Sequence, residues 1–211
     1  IKNASNKDWE AITNDENYIY IGDIGNNKGT RKDLTIYKIS ISDFLKKSSV
    51  KAEVISFNYE NQTLFKSTPH HTSFDAEAMV IIQDSLLVFN KNWLNDTCSI
   101  YRLPLNPGHY NVSPSDRIVF PGKVTDAVYM NNKNRLLLVG YGSEPFLASV
   151  IMTNKGLVNY YEVYSCNLVV DNSIQIEGIC TDGKTVYISS ERIKMSDLEF
   201  KGELVEVPLS F

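Results

Sequence analysis

Apolar and polar positions alternate in short runs along the whole chain, and the runs are broken by polar turns. Four stretches share one layout: "DWEAITNDENYIYIGD" from Asp8, "DAEAMVIIQDSLLVFN" from Asp75, "DAVYMNNKNRLLLVGY" from Asp126 and "QIEGICTDGKTVYISS" from Gln175. Each reads as a short apolar strand, a polar turn and a second, strongly β-prone strand, which is the signature of a hairpin. The turns are "TNDEN", "IQDS", "NNKN" and "TDGK", the last with the Asp-Gly pair of a tight turn. Without gaps, the second strand ends fifteen residues after the first column, at Asp23, Asn90, Tyr141 and Ser190. A third strand follows each hairpin ("LTIYKIS", "CSIYRLPL", "FLASVIMT", "ELVEVPLSF"), and a fourth follows the first three ("AEVISFNYE", "DRIVFPG", "LVNYYEVYS"). Only "ISDFLKKSS" (41–49) has room for a helical turn or two.

Repeats of four antiparallel strands, with first columns 67, 51 and 49 residues apart, predict an all-β chain. The architecture they fit is a β-propeller with about four blades in this chain. A single propeller domain over 1–211 follows, with repeat units at roughly 6–60, 73–121, 124–165 and 173–211. A sandwich would lack the internal repetition, and β-solenoid coils are usually shorter. The last unit stops after its third strand, and "IKNAS" at the start resembles the tail of a fourth. Either that stub clasps the ring shut or an earlier blade is missing; the short stub favours lost N-terminal sequence.

In a propeller the first strand of each blade lines the central axis, so its N-terminal end lies at one mouth of the channel. Residues i and i+2 share a strand face, so each D-x-E motif pairs two carboxylates. The expected mouth therefore gathers Asp8, Glu10, Asp75, Glu77, Asp126 and Glu177 as candidate metal ligands. The ends of the second strands return Asp23, Asn26, Arg31, Asn90, Glu191 and Arg192 to the same face as candidate ligand-binding residues. Oxygen-only donors favour Ca²⁺ or Mg²⁺ over zinc or copper. The competing reading is structural: a carboxylate at such a strand start ties backbone N–H groups of the next repeat.

Composition removes several function classes. Net charge is −4, with 43 % hydrophobic residues, so no global basic field draws in nucleic acid. No run is long enough to cross a membrane as a helix. Cys98, Cys166 and Cys180 form no C-x-x-C pair and read first as small buried hydrophobes, with one disulfide and a spare thiol as the alternative. "GDIGNNKG" (22–29) lacks the G-K-[ST] ending of a phosphate loop and reads as a tight Asx/Gly turn. His70 and His71, adjacent on an extended segment, point in opposite directions. G-x-S-x-G is absent, and no catalytic residue is assigned.

The segments "DWEAITNDENYIYIGDIGNN", "DAEAMVIIQDSLLVFNKNW" and "IEGICTDGKTVYISSER" resemble secreted bacterial β-propellers of the phytase-like and SdiA-regulated kind. The resemblance implies an extracytoplasmic protein (secreted, periplasmic or surface-attached), a parent of five or six blades, and Ca²⁺ at the propeller mouth. Val128 and Gln175 depart from the acidic pattern, and Lys28, Arg31, Lys91 and Arg192 are few cations for a polyanionic substrate. The leading expectation is a non-catalytic binding module whose partner is a divalent cation, a small polar ligand or a protein. The alternatives are a metal-dependent hydrolase of phosphate or carboxylic esters, and a protein-interaction scaffold without metal.

Overall fold

The computed structural model describes residues 1–152, 158–164, 175–195 and 198–209. The regular secondary structure of these residues is β-strand apart from one short α-helix and one turn of 3₁₀ helix. The chain divides into two compact units, Ile1–Ile118 and Val119–Phe211.

In the first unit, β1 (Trp9–Asn14), β2 (Tyr18–Asp23) and β3 (Leu34–Ser40) lead through helix α1 (Ile41–Lys46) to β4 (Glu53–Tyr59). The second repeat supplies β5 (Asp75–Ile82), β6 (Ser85–Lys91) and β7 (Thr97–Pro104), then β8 (Gly108–Val112) and β9 (Pro114–Val119). The sheets run β1-β2-β3-β4-β8 and β5-β6-β7-β9. Strand β8 was not anticipated. It leaves its own repeat and pairs parallel with β4 in the register Asn58↔Asn111 and Tyr59↔Val112, so a fifth strand covers the edge of the first sheet. Its sequence, "GHYNV", is too short and too polar to announce a strand without its partner.

Helix α1 starts where the Ser40 side chain accepts from the Asp43 N–H at 3.3 Å, and it buries no residue. The core of the unit joins both sheets through Tyr20, Ile36, Phe57, Met79, Val88 and Tyr101. Strands β5 and β6 are buried on both faces, as their unbroken apolar runs require. Each large side chain buried there contributes about 1.5–3 kcal/mol. Residues 1–5 form no strand; the Lys2 N–H donates to the Val50 carbonyl, and the Asn3 amide brackets Ala52 by 2.8 and 3.0 Å bonds. The N-terminal stub is thus tied to the segment before β4 by one backbone bond and by the Asn3 side chain.

The second unit holds β10 (Gly122–Met130), β11 (Arg135–Gly142), β12 (Pro145–Met152) and β13 (Val158–Tyr164) in one antiparallel sheet. Next come β14 (Ile176–Thr181), β15 (Thr185–Ser190), a small hairpin of β16 (Ile193–Met195) and β17 (Leu198–Phe200), and β18 (Leu204–Pro208). Strand β18 pairs with β15, giving the order β14-β15-β18. Its core is formed by Met130, Leu137, Val139, Ile176, Val186 and Ile188.

The first hairpin of each repeat carries a one-residue irregularity in its first strand. It falls between Trp9 and Ala11, Ala76 and Ala78, Val124 and Asp126, and Ile176 and Gly178. The skipped residues are Glu10, Glu77, Thr125 and Glu177. This corrects the gapless alignment of the third repeat. There Val124 pairs with Gly140, and the turn is lengthened by 3₁₀ residues Asn131–Lys133, with Asn134 in the left-handed region. Lys123 and Thr125 therefore take the places of the D-x-E acids, and Asp126 takes the place of Ala11, Ala78 and Gly178. Gly140 takes the place of Asp23, Asn90 and Ser190, because β10 continues past it: a Cβ there would lie 2.0 Å from the Lys123 carbonyl oxygen.

Gly140→Ala is expected to force the β10 and β11 backbones apart and to cost about 1–3 kcal/mol. A urea-unfolding midpoint equal to the parent's would show the approach to be looser than described.

Candidate functional site

The starts of β1 and β5 lie side by side in the first unit and place four of the six predicted acids together. The Asp8 and Glu10 carboxylates crowd the backbone at Gly25, where a Cβ would meet both at 2.5–2.7 Å. The Gly25 N–H in turn donates to the Asp8 carbonyl at 3.2 Å. Glycine stands here because the acids leave no room for a side chain. From β5, Asp75 is fully buried; its Oδ1 accepts from the Asn26 N–H at 2.5 Å and its Oδ2 from the Trp93 indole N–H at 2.7 Å. Glu77, also buried, accepts from the Lys91 ammonium at 3.0 Å. Lys91 lies 5.0 Å from the Trp93 ring centroid, and His70 stacks on Trp93 at 4.5 Å.

Among the described residues, the cluster sets four carboxyls beside the Lys91 ammonium. The Glu10 carboxyl is pushed up to about 9, first by burial, then by the Glu77 and Asp8 charges, a hydrogen bond with Asp8, and Asp75. A proton held on Glu10 thus relieves the repulsion at neutral pH. Burial also raises the Asp75 carboxyl, against its two hydrogen-bond donors.

The residues expected to surround the acids are mostly committed to structure. Asp23 accepts from the backbone N–H groups of Lys7 and Asp8 at 3.2 and 2.8 Å, and pairs with Arg31 at 2.9 Å. Arg31 also donates to the Gly25 carbonyl at 2.8 Å and to Asp33 at 3.2 Å. Arg31 was expected to face a ligand, but its fork braces the 23–33 loop. Asn26 donates to the Phe74 carbonyl and accepts from the Arg31 N–H, while Asn90 donates to the Ser73 carbonyl and accepts from the Ser99 N–H. These side chains tie each second-strand end to neighbouring loops. The 22–29 segment is the tight turn expected, with Gly29 at φ +68° and its N–H donating to the Asn26 carbonyl.

The remaining two acids belong to the second unit. Asp126 Oδ2 accepts from the Ile179 N–H and Oδ1 from the Ala127 N–H, both at 2.8 Å. Its carboxyl is pushed up to about 7, by burial first, with Glu177 adding a smaller push. Asp126 is therefore a tie from β10 to β14, the structural alternative read from the sequence. Glu191 and Arg192 follow β15 and are exposed, with the Glu191 N–H donating to the Gln175 carbonyl at 3.0 Å. Cys98 is buried and its thiol is pushed up to about 12, whereas Cys180 is exposed on β14 rather than buried as expected. Both are free, and Cys166 lies outside the described residues.

From the sequence, Lys91 reads as one of a few cations on the same mouth as the acids, Trp93 as a mouth ring that either stacks on a ligand or packs between loops, and Gly25 as a turn residue. Lys91 follows Asn90 at the end of a strand, so its pairing register with Asp75 was the available signal. Among the described residues, no three His, Cys, Asp or Glu side chains are already arranged as a metal site, and no helix is long and apolar enough to cross a membrane. The chain matches no family model and no curated protein.

The proton on Glu10 fixes the sign of a pH effect. The folded state holds it up to about 9, while an unfolded glutamate releases it near 4.5. The folded state therefore binds more protons between those values, and this group's contribution to stability falls as pH rises through that window. Glu10→Gln is expected to melt about 2–4 °C higher than the parent at pH 8, as roughly 1 kcal/mol does in a domain of this size, and to show little gain at pH 5. An equal shift at both pH values would mean that Glu10 is not the proton holder. Asp75→Asn, which keeps one acceptor for two buried donors, is expected to lower stability by about 1–3 kcal/mol in urea unfolding. An unchanged midpoint would remove Asp75 as the tie between the two loops.

Proposed function

We propose that this chain is an extracytoplasmic, non-catalytic binding module of β-propeller type, whose acid cluster in the first unit takes a divalent cation or a small polar, cationic ligand. The observation that carries the reading is the gathering of Asp8, Glu10, Asp75 and Glu77 at neighbouring strand starts, with the Glu10 carboxyl pushed up by burial and by its acidic neighbours. The propeller assignment and the extracytoplasmic setting rest on the repeated hairpins, the common position of their irregularities, and the motif likeness to phytase-like and SdiA-regulated propellers.

The donor set fits a hard cation in chemistry, because every acid supplies oxygen and Ca²⁺ accepts carboxylates in flexible geometry. Asp75 and Glu77 are already engaged, so Asp8 and Glu10 would hold the ion, with Glu10 giving up its proton. The hydrolase reading loses support at the anion-gripping end, where Arg31 is paired with Asp23 and Asp33. A protein-interaction scaffold needs no cation and remains the contrasting outcome.

Thermal melting in EDTA and then in millimolar Ca²⁺ tests the proposal. A cation at a hundred times its Kd adds about 2.7 kcal/mol, a rise of several degrees. The expected result is a Ca²⁺-dependent rise in the parent that Glu10→Gln loses, with the variant still folded. Equal melting in EDTA and Ca²⁺ for both proteins would overturn the cation reading and turn the search to protein partners.

A further inference from the structure

We infer that a polar groove on the outer edge of the first sheet, apart from the acid cluster, is a binding site for a neutral carbohydrate. The groove exists because β8 crosses over to pair with β4. It offers about 440 Å³ of open space, within the roughly 300–1,000 Å³ range of small-molecule sites. The parallel register sets Asn58 beside Asn111 on adjacent strands, so two carboxamides face the same space.

Its floor is fixed. Buried Gln62 donates from its side chain to the Gly29 carbonyl at 2.9 Å and from its backbone to Tyr59 at 3.2 Å, and the Glu60 N–H donates to Val112 at 3.0 Å. Its walls are open for bonding. Asn58 uses one amide hydrogen on His109 at 2.9 Å, leaving its carbonyl oxygen as an acceptor. The Asn111 side chain makes no hydrogen bond among the described residues, and Glu60 has one oxygen engaged by the Ser113 hydroxyl. Lys32 makes no ion pair among the described residues; its ammonium lies 4.4 Å from the centroid of the Phe65 ring. The Lys32 stem and the Phe65 ring form the apolar wall.

The chemistry of these groups selects the ligand. One ammonium and one carboxylate cancel, so neither a phosphate nor a polyamine finds a charge surplus. Two carboxamides, a carboxylate and an ammonium offer donors and acceptors in alternation, which suits vicinal hydroxyls. The ring and lysine stem suit the C–H face of a pyranose. A shallow groove of this kind binds by orienting a few hydroxyls against an apolar wall, not by enclosing the whole ligand.

Saturation-transfer NMR with the methyl glycosides of glucose, galactose, mannose and N-acetylglucosamine tests the assignment. Transfer to the ring protons of at least one glycoside is expected, lost in Phe65→Ala and reduced several-fold in Asn111→Ala. Asn111 is exposed and unbonded, so its variant keeps the fold. Transfer that persists in Glu10→Gln separates this groove from the acid cluster. No transfer to any of the four, or transfer unchanged in both groove variants, would overturn the assignment. So would amide shifts at Asn58 and Asn111 with inorganic phosphate and none with glycosides.

Discussion

An extra residue in the first strand of each hairpin governs much of this structure. In an antiparallel ladder each residue faces one partner, and an inserted residue breaks the two-residue alternation at that point. In the first, second and fourth repeats the inserted residue is a glutamate: Glu10, Glu77 and Glu177. The insertion lets an acid stand at the strand start while the next residue, Ala11, Ala78 or Gly178, rejoins the ladder. In these three repeats that next position is small, whereas the third repeat holds Asp126 there. At Gly178 a Cβ would already come within 2.5 Å of the Ser189 hydroxyl.

The two units use this device differently because the surrounding charge differs. In the first, two complete D-x-E motifs lie on neighbouring strands, with Lys91 paired to Glu77 and its charge also favouring the Asp75 carboxylate. Burial and the neighbouring acids push the Glu10 carboxyl up, so it holds its proton at neutral pH. In the second, Lys123 and Thr125 replace the acids in the third repeat, and the Thr125 hydroxyl donates to the Ile176 carbonyl at 2.6 Å. Asp126 spends both oxygens on backbone N–H groups. The same scaffold position has become a fastener between strands.

Much of the second-strand polar residue set serves the loops. Asp23 and Asn90 each hold the segment leading into their own first strand, and Asp75 holds the preceding repeat's loop through Asn26. A buried backbone N–H without a partner costs about 1–3 kcal/mol, so these ties are placed where the chain enters a sheet and its ladder has not begun. Cross-repeat stitching by side chains also explains why Arg31, an expected ligand grip, is occupied at every edge of its guanidinium.

The sequence by itself determined most of the strands and their order within each repeat, and it put acids at the strand starts, four of which the fold brings together. Alternation, turn residues and motif recurrence are local properties, and "LTIYKIS" or "DAEAMVII" carries them without its neighbours. It mistook the third repeat, because a gapless alignment has no means of seeing that the "NNKN" turn accommodates two more residues between paired positions. Only the tertiary structure decided that register, since it depends on which residue of β11 stands opposite Val124. It alone moved β8 to the edge of β4, where pairing with a distant strand outweighs the weak preference of "GHYNV" for any conformation. It also decided which acids are tied, which are paired and which carry a proton. Those outcomes are set by distances to Asn26, Trp93, Lys91 and Ile179, groups that lie far along the chain or across a turn and meet the acids only after folding.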